Sequence, residues 1–290
     1  MNEAERRQAR QWVEAANTRY RDEHIPPRER PFRALHELAA AWRCTIAMDS
    51  ELAEFIFEYF RSTSKPGSHE IGVMFTGAFY FDASFWPLRI PFIYGLSSLD
   101  PLSCVDGLPT VVKAEIERVP NQLRLLEYFW ADCCDYALGC DDLFADGQLC
   151  EKARNFLQNG DRELRSATAQ LLLPQPMPRA ILSLRFAYEI FLKVVLIQEK
   201  GYDDKKLMDV SHDLVDAARK CCEATQWQEF SEFEQRVGIF SPVKDRYEGQ
   251  SLPLSELWEA VQLTQKLAAT VTRFYTDRNV RAQVEAKWSA

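Results

Sequence analysis

Residues 179–199 constrain the fold more than any other segment of this 290-residue chain. The segment reads RAILSLRFAYEIFLKVVLIQE, and its apolar side chains cover most of a helix circumference. A helix that is apolar on several sides must be covered by other elements on those sides. The sequence therefore predicts that this helix is the centre of a bundle, on the evidence of Leu182, Leu184, Phe186, Ile190, Phe191, Val194, Val195 and Ile197.

Helical periodicity also marks most of the remaining chain. Breakers divide it: the run HIPPRERP ends a first helix, Pro120 breaks another, Gly160 kinks or splits a third, and PQPMP forces a turn. The predicted fold class is mainly α, a multi-helix bundle. Its helices are predicted at 3–23, 32–62 (with a second helix capped by Asp49 or Ser50), 109–138, 148–173, 179–199, 211–235 and 253–276.

The segment 66–109 has a different composition, with five prolines and five glycines. Eight aromatic residues lie within its part from Phe75 to Tyr94. Such a composition allows a short β-hairpin at 73–81 and 88–94, in which Pro87 and Pro91 restrict the second strand to an edge. The alternative is a helical start followed by an extended loop. The sequence therefore predicts either a hairpin or an extended insertion at 72–95.

This change of composition suggests two regions. We predict a mostly helical region at 1–139, which includes the aromatic, Pro/Gly-rich segment, and a helical bundle at 140–290.

The chain is acidic, with a net charge of −8 at pH 7. An acidic surface argues against broad, nonspecific binding of nucleic acid, although ordinary solubility explains the charge equally well. The first residues are charged, and no run of 18 apolar residues occurs, so we expect a cytoplasmic protein with no membrane span.

The cysteines and histidines do not suggest a metal site. The chain has eight cysteines without a CxxC pair and only four histidines. We expect reduced cysteines, in the core or half-buried on helices, with no metal and no cofactor. The sequence also lacks Walker A, GxGxxG, GxSxG and HExxH motifs.

Three polar residues of the central helix, Arg185, Glu189 and Lys193, follow one another at intervals of four. They form one stripe, along which Glu189 can pair with Arg185 and with Lys193. One interpretation is a solvent-facing strip on an otherwise buried helix. The other is that Glu189 anchors a polar cluster at a groove between helices.

Two further segments carry candidate ligand-binding residues. In SHDLVDAARKC, His212 precedes a helix, as a cap, a packing residue or a functional group, and Asp213 suits the positive end of the helix dipole. In KDRYEG, Arg246 and Tyr247 precede a turn, where the arginine can bind a carboxylate or an anionic ligand, or can pin the loop to the bundle.

Taken in order, AYEIFLK, SHDLVDAA and DRYEG before a long final helix resemble the HEPN family over about 140–280. The resemblance covers half the chain and implies an all-helical bundle. Many members of that family are metal-independent ribonucleases that dimerise around an arginine followed four to six residues later by a histidine. Here Arg246 matches the arginine, but positions 250–253 read QSLP, so the histidine is absent.

The resemblance therefore implies the noncatalytic kind of HEPN domain, an interaction or regulatory module, for example an accessory of a bacterial defence or toxin–antitoxin system. The expected partner is a second copy, as a homodimer, or another protein, with RNA or a nucleotide less favoured. One alternative is a metal-independent ribonuclease with a divergent site formed by Glu189, His212 and Arg246. Another is an acidic immunity or antitoxin-like inhibitor of a basic partner.

Two further sequence patterns are not interpreted as functional sites. Arg19 and His24 have the nuclease spacing, but they lie near a predicted helix end in the other half of the chain, which indicates coincidence. The acidic residues Asp132, Asp135, Asp141, Asp142 and Asp146 lack EF-hand order and are interpreted as a solvated turn, with weak cation binding left open.

Overall fold

A computed structural model describes residues 3–27, 29–48, 50–64, 73–92, 99–145, 147–210, 213–240 and 252–289. The described chain is mainly α-helical with one two-stranded antiparallel hairpin, as predicted. It divides into two compact units, the first comprising 1–74 and 91–95 and the second 75–90 and 96–290. None of the helices within the described ranges is long and apolar enough to cross a membrane.

The first unit consists of α1 (Glu3–Asp22), α2 (Arg30–Trp42) and α3 (Glu51–Ser62). Of the two residues predicted to cap this third helix, Asp49 lies outside the described residues and Ser50 is the N-cap of α3. The Ser50 Oγ accepts a hydrogen bond of 3.2 Å from the Ala53 N–H. This bond satisfies a backbone donor that the first turn of a helix leaves unpaired. The three helices enclose an apolar core that includes Val13, Tyr20, Leu38, Ile56 and Phe60.

The hairpin consists of β1 (Val73–Phe81) and β2 (Ser84–Pro91). Asp82 and Ala83 form its two-residue turn with φ of 48° and 54°, the positive values that a type I′ turn needs. The first predicted strand is confirmed, and the second begins four residues earlier than predicted because the turn is this tight. The helical start followed by an extended loop is therefore wrong.

The outer edge of β2 is covered by a neighbouring segment rather than by a third strand. The Asp106 N–H donates to the Pro87 oxygen at 2.8 Å, and the Arg89 N–H donates to the Cys104 oxygen at the same distance. Proline has no N–H to offer at such an edge, so the prediction of an edge position is confirmed.

The second unit contains the hairpin and nine described helices. Helix α7 lies against α6, α9 and α11, and α5 lies against α4, α11 and α12. The prediction that α7 is the centre of a bundle is confirmed. The helices are α4 (Thr110–Arg118), α5 (Pro120–Ala145), α6 (Glu151–Leu171), α7 (Ala180–Lys200), α8 (Asp204–Asp209), α9 (Leu214–Thr225), α10 (Glu229–Arg236), α11 (Leu254–Tyr275) and α12 (Val280–Ser289).

Two glycines allow close packing between these helices. A Cβ on Gly160 of α6 would lie 2.8 Å from the Phe191 ring, and a Cβ on Gly139 of α5 would lie 2.6 Å from Thr272 Cβ. Helix α6 continues through Gly160, so the predicted split at this residue does not occur. Helix α5 likewise continues through residue 139, where the boundary between regions was predicted.

Candidate functional site

The polar stripe of α7 points into the bundle rather than toward solvent. Arg185 and Glu189 are 6% and 9% exposed, and Lys193 Nζ lies 2.6 Å from Glu189 Oε1. Burial lowers the pKa of the Arg185 guanidinium, and the nearby Glu189 carboxylate partly offsets that effect. The interpretation as a solvent-facing strip is wrong, because neighbouring helices cover this side of α7. The predicted pairing of Glu189 with Lys193 is confirmed.

Another side of the same helix exposes apolar side chains to solvent. Phe186 is 37% exposed, and Leu182 and Ile190, one turn before and after it, are half-buried. These three residues recur at intervals of four and therefore lie along one line of the helix surface. We call them the outward stripe of α7.

Not all candidate residues fall within the described part of the chain. His212, Arg246 and Tyr247 lie outside the described residues, so their convergence with Glu189 stays a prediction. Asp213 is described, and its side chain accepts a hydrogen bond of 2.9 Å from the Asp216 N–H at the start of α9. The predicted position of Asp213 at a helix N-terminus is confirmed.

Two residues of the acidic run are buried, not solvated. Asp132 and Asp135 are 4% and 0% exposed on α5, and both pair with Arg273 of α11, at 3.0 and 2.9 Å. The interpretation as a solvated turn is wrong for these two residues because α5 extends to Ala145 and turns them toward α11. Further along α5, Asp142 pairs with Arg278 at 2.6 Å.

Asp135 is held by three groups at once, one guanidinium and two backbone N–H groups. Besides Arg273, its oxygens accept the backbone N–H of Val280 at 2.6 Å and of Arg281 at 3.2 Å. Burial raises the pKa of this carboxyl, while the backbone donors and Arg273 work in the opposite direction. The Arg281 side chain adds an ion pair of 2.6 Å with Asp132.

Most of the cysteines in the second unit are buried. Burial raises the pKa of Cys133, Cys134, Cys140 and Cys221. Because the thiolate is the nucleophile and the metal ligand, these cysteines are suited to packing. They confirm the prediction of core cysteines on helices, whereas Cys44 and Cys150 are exposed. Within the described ranges, no three histidine, cysteine or acidic side chains are grouped so as to hold a metal ion.

A groove of about 620 Å³ lies between α1 and α3 of the first unit. Arg6 and Arg10 line one side, and Glu54 and Glu58 line the other. The Arg6 guanidinium lies 5.6 Å from the centroid of the Phe55 ring and covers one face of that ring. The groove is open and mixed in charge, with no group poised for chemistry.

Arg19 is engaged by glutamates of its own unit. Its guanidinium pairs with Glu37 of α2 and, at 3.6 Å, with Glu23. His24 follows the end of α1 in a left-handed conformation with φ of 57°. The pair therefore occupies a surface corner of the first unit, and Arg19 acts there as an ion-pair partner.

With this geometry in place, we compared the chain with known proteins. No family model, no curated protein and no solved structure matches it.

Sequence reasoning missed the partners of the buried acids. Arg273 and Arg281 lie more than 130 residues from Asp132 along the chain, at separations of 141 and 149. No local spacing links residues so far apart. The available signal was a run of acids on a helix whose basic counterparts lay on the predicted final helix and beyond it.

Proposed function

We propose that this chain is a noncatalytic, HEPN-like interaction module that self-associates through the outward stripe of α7. One observation carries the proposal: α7 exposes Phe186 while it buries Arg185 and Glu189. A helix of a monomeric protein ordinarily turns its charged side chains outward. Large aromatic side chains left at a surface are the residues that most often anchor protein interfaces.

The state of Glu189 supports a noncatalytic site. A general base must be free to take a proton from its substrate. The Glu189 carboxylate already accepts a hydrogen bond of 2.6 Å from Lys193, and both side chains are less than 15% exposed. The absence of a histidine at Gln250–Pro253 points the same way.

The chemistry of the outward stripe favours a second copy as its partner. Leu182, Phe186 and Ile190 carry no charge that would select a partner of opposite sign. Two identical apolar stripes related by a two-fold axis satisfy each other, and each contact then occurs twice.

Light scattering coupled to size exclusion tests the proposal over a range of protein concentrations. We expect a dimer in which Phe186→Ser raises the dissociation constant by at least about 30-fold, the factor that corresponds to about 2 kcal/mol for an aromatic anchor. Val111→Ser on α4, where Val111 is 75% exposed, is the matched control and should leave the dimer intact. A monomer at every concentration, or equal effects of the two substitutions, would contradict the proposal.

The noncatalytic part has a separate test. Purified protein, supplied with a labelled single-stranded RNA and a chelator, should leave the RNA intact. Cleavage that Arg246→Ala or Glu189→Gln abolishes would instead establish the ribonuclease alternative.

A further inference from the structure

Helix α12 lies along α5 and is attached to it mainly by charged and polar groups. Of its ten residues, Val284 alone is buried. Arg281 pairs with Asp132 at 2.6 Å, and Lys287 pairs with Glu127, also at 2.6 Å. The indole N–H of Trp288 donates to the other Glu127 oxygen at 2.8 Å.

At the contact between the two helices the acidic groups belong to α5, and the acid of α12, Glu285, pairs with Arg281 on its own helix at 2.9 Å. The receiving face of α5 consists of Glu127, Tyr128, Asp132 and Asp135, which we call the acidic face of α5. The basic groups come from α12, and the Arg281 guanidinium also lies over the Tyr128 ring at 4.8 Å. This is the charge complementarity of a receptor surface and a basic helical ligand.

Asp135 makes the acidic face specific for the beginning of a helix. It accepts the backbone N–H groups of Val280 and Arg281, the first residues of α12. The first turn of any helix presents such unpaired donors together with the positive end of its dipole. Asp135 also pairs with Arg273 of α11 at 2.9 Å, a contact that does not involve α12.

We propose that the acidic face of α5 is a docking surface for a basic amphipathic helix of a partner protein, and that α12 occupies it in the unbound chain. The partner helix would carry an arginine in its first turn, an apolar residue three positions later, and a lysine and an aromatic residue one turn beyond. The net charge of −8 steers a basic partner toward this chain over long range.

The exchange is physically accessible because α12 is short and its contacts are polar. A ten-residue helix is marginal in water, so α12 is helical only while docked. Release transfers Glu127 and Lys287 to water, which hydrates both charges. A longer basic helix in a partner, with more residues to stabilise it, can therefore compete with α12 for the same groups. This inference does not depend on the outward stripe of α7, which is on a different helix.

A labelled peptide with the sequence of residues 278–289, RNVRAQVEAKWS, tests the surface in a fluorescence anisotropy titration of the full chain. In wild-type protein the peptide competes with α12 and should bind weakly. Lys287→Ala loosens α12 at a side chain that is 59% exposed, so the fold is retained. Since the apparent affinity scales with the fraction of chains whose surface is free, we expect about tenfold tighter peptide binding by this variant.

Added salt should weaken the binding, and a peptide with alanine at the Arg281 position should bind at least about tenfold more weakly. The proposal is overturned if a scrambled peptide of the same composition binds as well, or if the peptide binds neither protein. It is also overturned if Lys287→Ala converts concentration-dependent dimers into monomers, because the occupant would then be α12 of a second copy.

Discussion

In the unit built from α1–α3, charged side chains pair at the surface around the ring of Tyr20, whereas the larger unit also has ion pairs inside the bundle. Arg19 and Arg33, about half exposed, lie over that ring and share Glu37 between them. Arg273 and Asp135, at 2% and 0% exposure, meet between α5 and α11. Guanidinium–carboxylate pairs thus occur both at an exposed surface and in a buried interface between helices.

The difference follows from what happens when a partner is lost. An exposed arginine or glutamate exchanges its partner for water, and the pair contributes little. A buried carboxylate has no such replacement, so its partner must be present whenever the helices pack. The buried pairs therefore specify how α5 and α11 align. The surface pairs of the first unit contribute little to a packing that its apolar core already defines.

The largest effect should come from Arg273→Ala. This substitution leaves the buried Asp135 without a guanidinium partner and leaves Asp132 with Arg281 alone. We expect the free energy of unfolding of the second unit to fall by about 3–5 kcal/mol. Denaturant unfolding followed by circular dichroism measures it. The exposed Arg278→Ala, which removes the ion pair with Asp142, is the control and should have a much smaller effect.

A second measurement separates loss of charge pairing from loss of packing. Arg273 lowers the pKa of Asp135, so without it this carboxyl ionises less readily. The deficit of the variant should therefore shrink as the pH is lowered and Asp135 becomes protonated in both proteins. A deficit that is independent of pH would mean that Arg273 acts through its volume, and the contrast between the two units would lose its electrostatic basis.

An intermediate effect is expected in the first unit at alkaline pH. Burial, together with the hydrogen bond and charge of Glu37, raises the pKa of Tyr20 from 10.0 to about 12. The folded unit therefore keeps a proton that the unfolded chain releases near pH 10. This contribution is complete below about pH 10 and is lost as the pH rises through about 12, by about 1.4 kcal/mol per pH unit.

Tyr20→Phe removes this proton, so its unfolding free energy should decline less steeply than that of the wild type between pH 10 and 12, a difference that accumulates to about 2–3 kcal/mol. At neutral pH the variant should lose about 1 kcal/mol with the 3.0 Å hydrogen bond to Glu37. Parallel pH profiles for the two proteins would show that Tyr20 ionises equally readily in both states.

The contrast between the units also explains which parts of the fold the sequence could predict. Helix α7 was predictable because an all-round apolar pattern has one physical solution, burial among other helices. The cap at Ser50 and the edge position of Pro87 were predictable because each follows from a local backbone rule. The start of β2 was not, because Asp82 and Ala83 do not announce a type I′ turn as strongly as a glycine would.

Charged residues were the weak point. Asp132 and Asp135 on α5 were interpreted as solvated, and a solvent-facing strip was one of two interpretations for Arg185 and Glu189 on α7, because charged groups are seldom fully buried unless paired. Helix α12 was not predicted because a single buried apolar residue, Val284, gives almost no periodic signal. In both cases the missing information is the long-range partner, which one sequence does not contain.

The smallest effect should come from a surface pair of the first unit, and its smallness is informative. Arg61 and Glu58 of α3 lie 3.3 Å apart, with side chains that are 55% and 68% exposed. Arg61→Ala should change the unfolding free energy by a few tenths of a kcal/mol at most, and added salt should erase the difference. Denaturant unfolding at low and high salt measures both. A loss near that of Arg273→Ala would mean that surface ion pairs also define the packing of α1–α3, and burial would no longer distinguish the two units.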